Sequence, residues 1–561
     1  MIVFLITILS KSDKYSDGEH VLIWGSKAVS PSIPNQMFEF SDFAQCIPPE
    51  TYPLQNKAKT AMDVLNGLNY YDLMIRVGFD IPQPKKVFCK RYFNNSEKER
   101  FNYAINNDFY VQYFVGDFPF WVKIGYVERN RTYIYTHTSF VLMNQNQRIT
   151  NGNASVDSPV PLINTSPVQF TYSIKWIDSD DSTINRSPVS YQADQKMILR
   201  NSLIIIVFVI MISIILYILL VKTVRRKADS HLNQAFDDGI DKTYSWRSMH
   251  GDIFRPPSNS SMLTVFVGVG LQSSIAILFA SYANIGDSLY YNGKPLMISF
   301  GAAFVASSVI SGYFISSFGI LYSIGNWQLL IIISIIIIFF PTWGVLSISS
   351  LLSSINKTSI PPSESSVSHF VVIALFYLAP LEFLGGYLGN MVPFFETTPF
   401  EPSLLPKKSK HIPIYLNQYF VSAIIGFSTA LYAGKSLISV SAALTQFQFH
   451  FVFFSLTILI IVISTVSCAS GIVYSFLLLK KDIYEWHWPT FIVSSSIGVF
   501  SFLVFLWYIL SIIVISSTSV LVYCFIWGVF TCTMISLMCG YFGIVSAGWF
   551  IRTIFSNVKV E

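Results

Sequence analysis

Charged side chains are scarce in this chain. Asp, Glu, Lys and Arg make up 12% of its 561 residues, where soluble domains average about 25%. That deficit, beside 52% hydrophobic residues, excludes a single soluble domain and indicates a polytopic membrane protein. Cysteine is rare too. There are six, with no CxxC or Cys/His spacing, so no metal module is expected. There is no phosphate-binding glycine loop, no zincin or hydrolase motif and no intramembrane Asp pair. The chain therefore reads as a non-enzyme with no catalytic, cofactor-binding or metal residues. The formal net charge of +5 is small, and no nucleic-acid partner is expected.

What charge there is lies unevenly. The first 200 residues carry most of it, and from Asn201 on it is confined to short breaks between apolar runs. A soluble head is thus followed by a membrane body whose partner is the lipid bilayer. Residues 1–14 begin with the apolar run Met1–Ser10 and then Lys11. This run is too short to cross a bilayer, which takes about 20 residues. It reads as a short secretory signal, the alternative being a first core strand.

Residues 15–200 read as an all-β, sandwich-like domain. Runs rich in aromatic and β-branched residues fall at 21–24, 73–77, 86–90, 109–114, 120–126, 132–136 and 168–176, with Asn, Gly, Pro and Ser between them. Cys46 and Cys89 are the only cysteines of this head. In an oxidising lumen they can form one disulfide; the alternative is two unrelated buried thiols. Cys468, Cys524, Cys532 and Cys539 lie in apolar runs and read as small apolar residues.

Runs long enough to cross a bilayer fall at about 202–221, 262–284, 296–320, 327–348, 369–391, 418–440, 449–479, 491–512 and 518–549. Nine transmembrane helices are expected: the first within 201–222, then a loop at 223–260, the other eight within 261–550, and a tail at 551–561. Pro341 and Pro380 lie inside the fourth and fifth and should kink them. Orientation follows from Lys and Arg. Lys222, Arg225, Arg226 and Lys227 follow the first run; Lys407, Lys408 and Lys410 the fifth; Lys480 and Lys481 the seventh; Arg552 and Lys559 the ninth. With alternating sides all of these share one face, the cytosolic one, while the other face has only Lys294, Lys357 and Lys435. The head is then lumenal and the C-terminus cytosolic. Glycosylation acceptors fit this arrangement: Asn94, Asn130, Asn153, Asn164 and Asn185 in the head, and Asn356 in the loop after the fourth span.

One polar stretch stands out ahead of the second span: Trp246-Arg-Ser-Met-His250-Gly251-Asp252-Ile-Phe254-Arg255-Pro256-Pro257. Its plain structural role is to cap that span and set its direction. It closely resembles the W-x-x-x-H-G-D-[VI]-F-R-P-P signature of the nonaspanins, the transmembrane-9 superfamily of endomembrane proteins. Tyr484-Glu-Trp486-His-Trp488-Pro-Thr-Phe491 resembles the family's Y-x-W-x-W-R-S-F, with Pro489 in place of its Arg; tryptophans at that depth also serve as interfacial anchors. Fainter matches begin at Tyr15 and Cys46 and end at Phe170–Trp176. The final Lys559-Val-Glu561 resembles the family's K-x-[DE] ending, which implies binding to the coatomer coat. The resemblance implies a divergent member, resident in Golgi and endosomes, that acts in trafficking and surface localisation of client membrane proteins in adhesion and phagocytosis.

Glu382 is the one carboxylate placed well inside a span, where the family has an apolar residue. An ionisable group there is a functional hypothesis by default, against a side chain bonded to a neighbour or kept wet near an interface. An ion or small-molecule transporter or channel is accordingly the alternative function. Gly385, Gly386 and Gly389, and later Gly540 and Gly543, offer small faces for close helix packing.

Overall fold

The computed structural model describes residues 15–30, 37–44, 70–115, 118–129, 131–145, 148–162, 167–178, parts of 207–222, 252–283, 294–355, 364–394, 413–445, 449–512 apart from 482, and 518–555. Among the described residues the head contains ten strands: β1 (His20–Val29), β2 (Met37–Glu39), β3 (Tyr71–Gly78), β4 (Gln83–Arg91), β5 (Tyr110–Val115), β6 (Phe118–Lys123), β7 (Gly125–Glu128), β8 (Arg131–Gln145), β9 (Arg148–Pro161) and β10 (Val168–Asp178). They form two five-stranded sheets. In the first, β1 pairs with β5 along one edge, while β3 and β2 share the other; β6 follows β5. In the second, β10 lies between β4 and β8, and β8 also carries β7 and β9. The β8–β10 pair is parallel, from His137↔Thr171 to Asn144↔Asp178.

Alternation along each strand builds the core. On β8, Ile134, Thr136, Thr138, Phe140 and Leu142 are buried and the residues between them are not, as a period of two requires. Ile23, Val111 and Phe120 of the first sheet share one apolar cluster with Ile134, Phe140 and Ile174 of the second. Each such side chain contributes about 1.5–3 kcal/mol by leaving water. The head is thus a sandwich around a common core, as expected.

Three local features differ from the sequence reading. The head is β-rich but not all-β, because α1 (Asn95–Asn106) packs Phe101, Ala104 and Ile105 into the core. The run at 120–126 is two strands: β6 ends at Lys123 in one sheet and β7 starts at Gly125 in the other. Gly125 suits this crossing, since a Cβ there would collide with the Tyr133 carbonyl. The polar segment Arg148–Pro161 is strand β9, paired among the described residues with β8 alone. That edge position tolerates Pro159 and Pro161. Cys89, on β4, is disulfide-bonded; Cys46 lies outside the described residues. Cys468, Cys524, Cys532 and Cys539 are free thiols on helices.

The membrane body holds α2 (Ser260–Ala283), α3 (Lys294–Leu321), α4 (Trp327–Ile355), α5 (Glu364–Ile373), α6 (Ala379–Met391), α7 (Gln418–Thr445), α8 (Phe449–Leu479), α9 (His487–Ile512) and α10 (Thr518–Phe555). Among the described residues, seven helical stretches are long and apolar enough to cross a membrane. They match the expected second to fifth and seventh to ninth spans. The expected sixth span coincides with α7, a helix of 28 residues. The expected first span shows a shorter apolar helix, Ser213–Lys222.

α5 and α6 form one span, joined by the π turn Ala374–Leu378. Pro380 explains the widened turn. Its nitrogen has no hydrogen to donate and its ring crowds the preceding turn, and the Ala379 N–H reaches back five residues to the Ala374 carbonyl. α6 then lies against α3 at backbone contact. A Cβ on Gly385 would collide with the Val309 carbonyl, and one on Gly312 with the Glu382 carbonyl. The glycines predicted to allow close packing do so here.

Candidate functional site at one end of the helical bundle

The second half of the polar signature folds against the aromatic segment that precedes α9. Asp252–Phe254 forms a single 3-10 turn, and the Arg255 N–H closes it onto the Asp252 carbonyl at 3.1 Å. The Arg255 guanidinium also holds the Asp252 carboxylate, Nη2 to Oδ1 at 2.9 Å. Asp252 is only 2% exposed, so this pairing offsets a desolvation cost of several kcal/mol. Burial, with the Glu485 and Asp252 carboxylates nearby, pushes the Tyr484 phenol above its ordinary pKa, against the opposing Arg255 charge.

Two indoles clasp this turn. Trp486 Nε1 donates to the Ile253 carbonyl at 3.1 Å, across 233 residues of sequence. Trp488 Nε1 donates to the Ser258 carbonyl at 2.7 Å. These bonds satisfy backbone acceptors of a segment with no regular partner strand or helix. Trp488 also meets Phe266 of α2 edge-on, and Phe254 meets Phe555 edge-on with ring centroids 6.3 Å apart. The Trp486 ring stacks on His487, which in turn meets Tyr322 at the end of α3.

The cluster around the clasp joins particular helix ends. It holds Val221 at the end of the short first helix, Leu263 at the start of α2, Tyr322 just past α3, Leu478 at the end of α8, Phe491 at the start of α9 and Phe555 at the end of α10. The Tyr474 hydroxyl of α8 donates to the Leu416 carbonyl just before α7 at 2.9 Å. Starts and ends therefore alternate along the chain at one end of the bundle, which requires antiparallel threading. α7 starts where α8 ends, so these two neighbours also run in opposite directions.

Comparison with known proteins decides the relationship. The family model for endomembrane protein 70 matches residues 37–519. This chain belongs to that family. Several curated relatives match at low identity over nearly full length. Transmembrane 9 superfamily member 5 of Arabidopsis thaliana is 25% identical across 98% of this chain and 96% of its own. Member 3 of the same plant is 23% identical across 98% and 95%. Member 1 of Bos taurus is 23% identical across 98% and 94%. The chain is thus a divergent member. No solved structure matches.

Of the predicted residues, Asp252, Phe254, Arg255, Pro256 and Pro257 lie at or beside the clasp; Trp246, His250 and Gly251 lie outside the described residues. So do Lys559, Glu561, Cys46, Asn130, Asn164, Asn185 and Asn356. Asn94 is exposed at the start of α1, and Asn153 is exposed on β9. Pro489 takes the third position of α9, in a first turn that can accept proline. Glu382 is fully buried in the first turn of α6, far in sequence from the clasp, with one carboxyl oxygen accepting from Ser334 of α4. The hydrogen bonds of Trp486 and Trp488 go beyond the sequence expectation, in which both indoles are interfacial anchors.

Proposed function

We propose that this chain acts in the sorting and membrane localisation of other membrane proteins, within Golgi and endosomal membranes. It crosses the bilayer nine times, with a lumenal head and a cytosolic tail, and it is not an enzyme. Its clients are membrane proteins of the adhesion and phagocytosis kind, and the tail offers Lys559 and Glu561 to the coatomer coat. The observation that carries this reading is the clasp. Both segments that resemble family motifs meet there, and Phe555 packs against the signature, so the tail leaves from the same end of the bundle. That end is where Lys222, Lys480, Lys481 and Arg552 stand in sequence, the side that positive residues mark as cytosolic. The Lys559 ammonium and the Glu561 carboxylate suit a complementary coat surface. The test is location in cells: Lys559→Ala and Glu561→Ala are each expected to move the protein off the Golgi, and unchanged location of both removes the coatomer claim.

The alternative, an ion or small-molecule transporter or channel, is favoured by the buried Glu382 alone. Glu382→Gln and Glu382→Leu separate the two readings. Sorting predicts that no solute or ion flux is lost in either variant. Normal client levels with loss of a solute or ion flux would favour transport.

A further inference from the structure

We propose that Glu382 is a proton-binding site inside the membrane body, and that the close packing of α6 on α3 and α4 is its proton-loaded state. The inference stands apart from the sorting reading. Glu382 is 0% exposed. Its Oε1 accepts from the Ser334 hydroxyl of α4, and among the described residues its Oε2 has no hydrogen-bond partner. A bare carboxylate with a single donor in an apolar membrane interior is strongly unfavourable, so a positive charge must complete the group.

Among the described residues no cationic side chain pairs with Glu382. Residues 301–355, which include the parts of α3 and α4 packed on α6, contain no Asp, Glu, Lys, Arg or His. The titratable groups facing from α3 reduce to Tyr313, whose hydroxyl donates to the Val392 carbonyl. α4 brings Ile331 and Trp327, against which Gly386 of α6 packs, and Ser334. The π turn and α6 themselves add only Tyr377 and Tyr387.

Donor chemistry selects the ion. An alkali or divalent cation wants about six or more oxygen ligands, whereas a proton needs only the open carboxyl oxygen. Among the described residues no group of three or more His, Cys, Asp or Glu could hold a metal. The proton adds to Oε2, turning the carboxylate into a carboxylic acid whose carbonyl oxygen is the Oε1 held by Ser334. Its loss leaves a charge that one hydroxyl cannot solvate.

The test is infrared difference spectroscopy of the purified full-length chain in lipid nanodiscs, between acidic and alkaline buffers, in H2O and D2O. The expected result is a carboxylic-acid carbonyl band that shifts in D2O, is absent in Glu382→Gln and ignores exchange of sodium for potassium at constant pH. In Ser334→Ala the band should move to higher frequency, because the carbonyl loses its hydrogen bond; this variant carries the test if Glu382→Gln fails to fold. No band assignable to Glu382 in any buffer would overturn the proposal. So would a band indifferent to D2O, a band that alkali ions alter at fixed pH, or an unmoved band in Ser334→Ala.

Discussion

The most exacting single contact in the clasp is the indole of Trp486, which is 4% exposed and donates to the Ile253 carbonyl. Trp486→Phe keeps most of the ring but removes the donor, leaving a buried carbonyl unsatisfied at a cost of about 1–3 kcal/mol. The full chain in detergent should then lose its monodisperse form at a lower temperature in heated size-exclusion profiles. Trp488→Phe, at a more open position, should shift it less. A larger drop is expected for Arg255→Met. It strands the buried Asp252 carboxylate, and breaking a buried pair costs about 3–5 kcal/mol. Asp252, Phe254 and Arg255 could be picked out from sequence because the signature is dense. Their partner could not, because nothing local in Tyr484–Phe491 points to a carbonyl 233 residues away. Glu382 was legible as an anomaly of composition. Its bond to Ser334 was not, because serines recur throughout these helices.

At the scale of single elements, apolar periodicity showed the membrane helices well and the head strands only in part. β9 escaped because its exposed edge position leaves it polar, with Asn151, Asn153 and Ser155 where a central strand would be apolar. α1 carries a local sequence signal, Asn94 followed three residues later by Glu97, the spacing of a capping box. Glu97 accepts from the Asn94 N–H at 2.9 Å and from Arg91 at 2.8 Å. Burial pushes its pKa up, but these hydrogen bonds and the charges of Arg91 and Arg100 outweigh it and hold it below the ordinary value. A lowered folded pKa stabilises the head above the ordinary glutamate range and is lost as pH falls through that lower value. Glu97→Gln should therefore lower the melting temperature of the chain near neutral pH, and the gap to the parent should close as pH falls. An equal gap at every pH would contradict this. Between helices, Gly385→Leu should separate α6 from α3 and destabilise the body, whereas Gly344→Ala, in open space on α4, should be tolerated.

At the scale of the molecule, the sandwich head and the helical body follow from one division in the chain: charge and β-pattern before residue 200, long apolar runs after it. A threading is also readable as an expectation, because Lys and Arg fall on alternate connections between the apolar runs. The cluster that joins Val221, Leu263, Tyr322, Leu478, Phe491 and Phe555 fits that alternation. What sequence could not convey was that the same end of the bundle would be fastened by the clasp, since this depends on how the helices lie side by side. Under the proposed function, head and tail stand on opposite sides of the membrane. Protease protection on sealed endomembrane vesicles, with one epitope on the head and one on the tail, measures this directly. Protease outside the vesicles is expected to remove the tail epitope and spare the head until detergent is added. A head digested from outside, or a tail shielded inside, would contradict it.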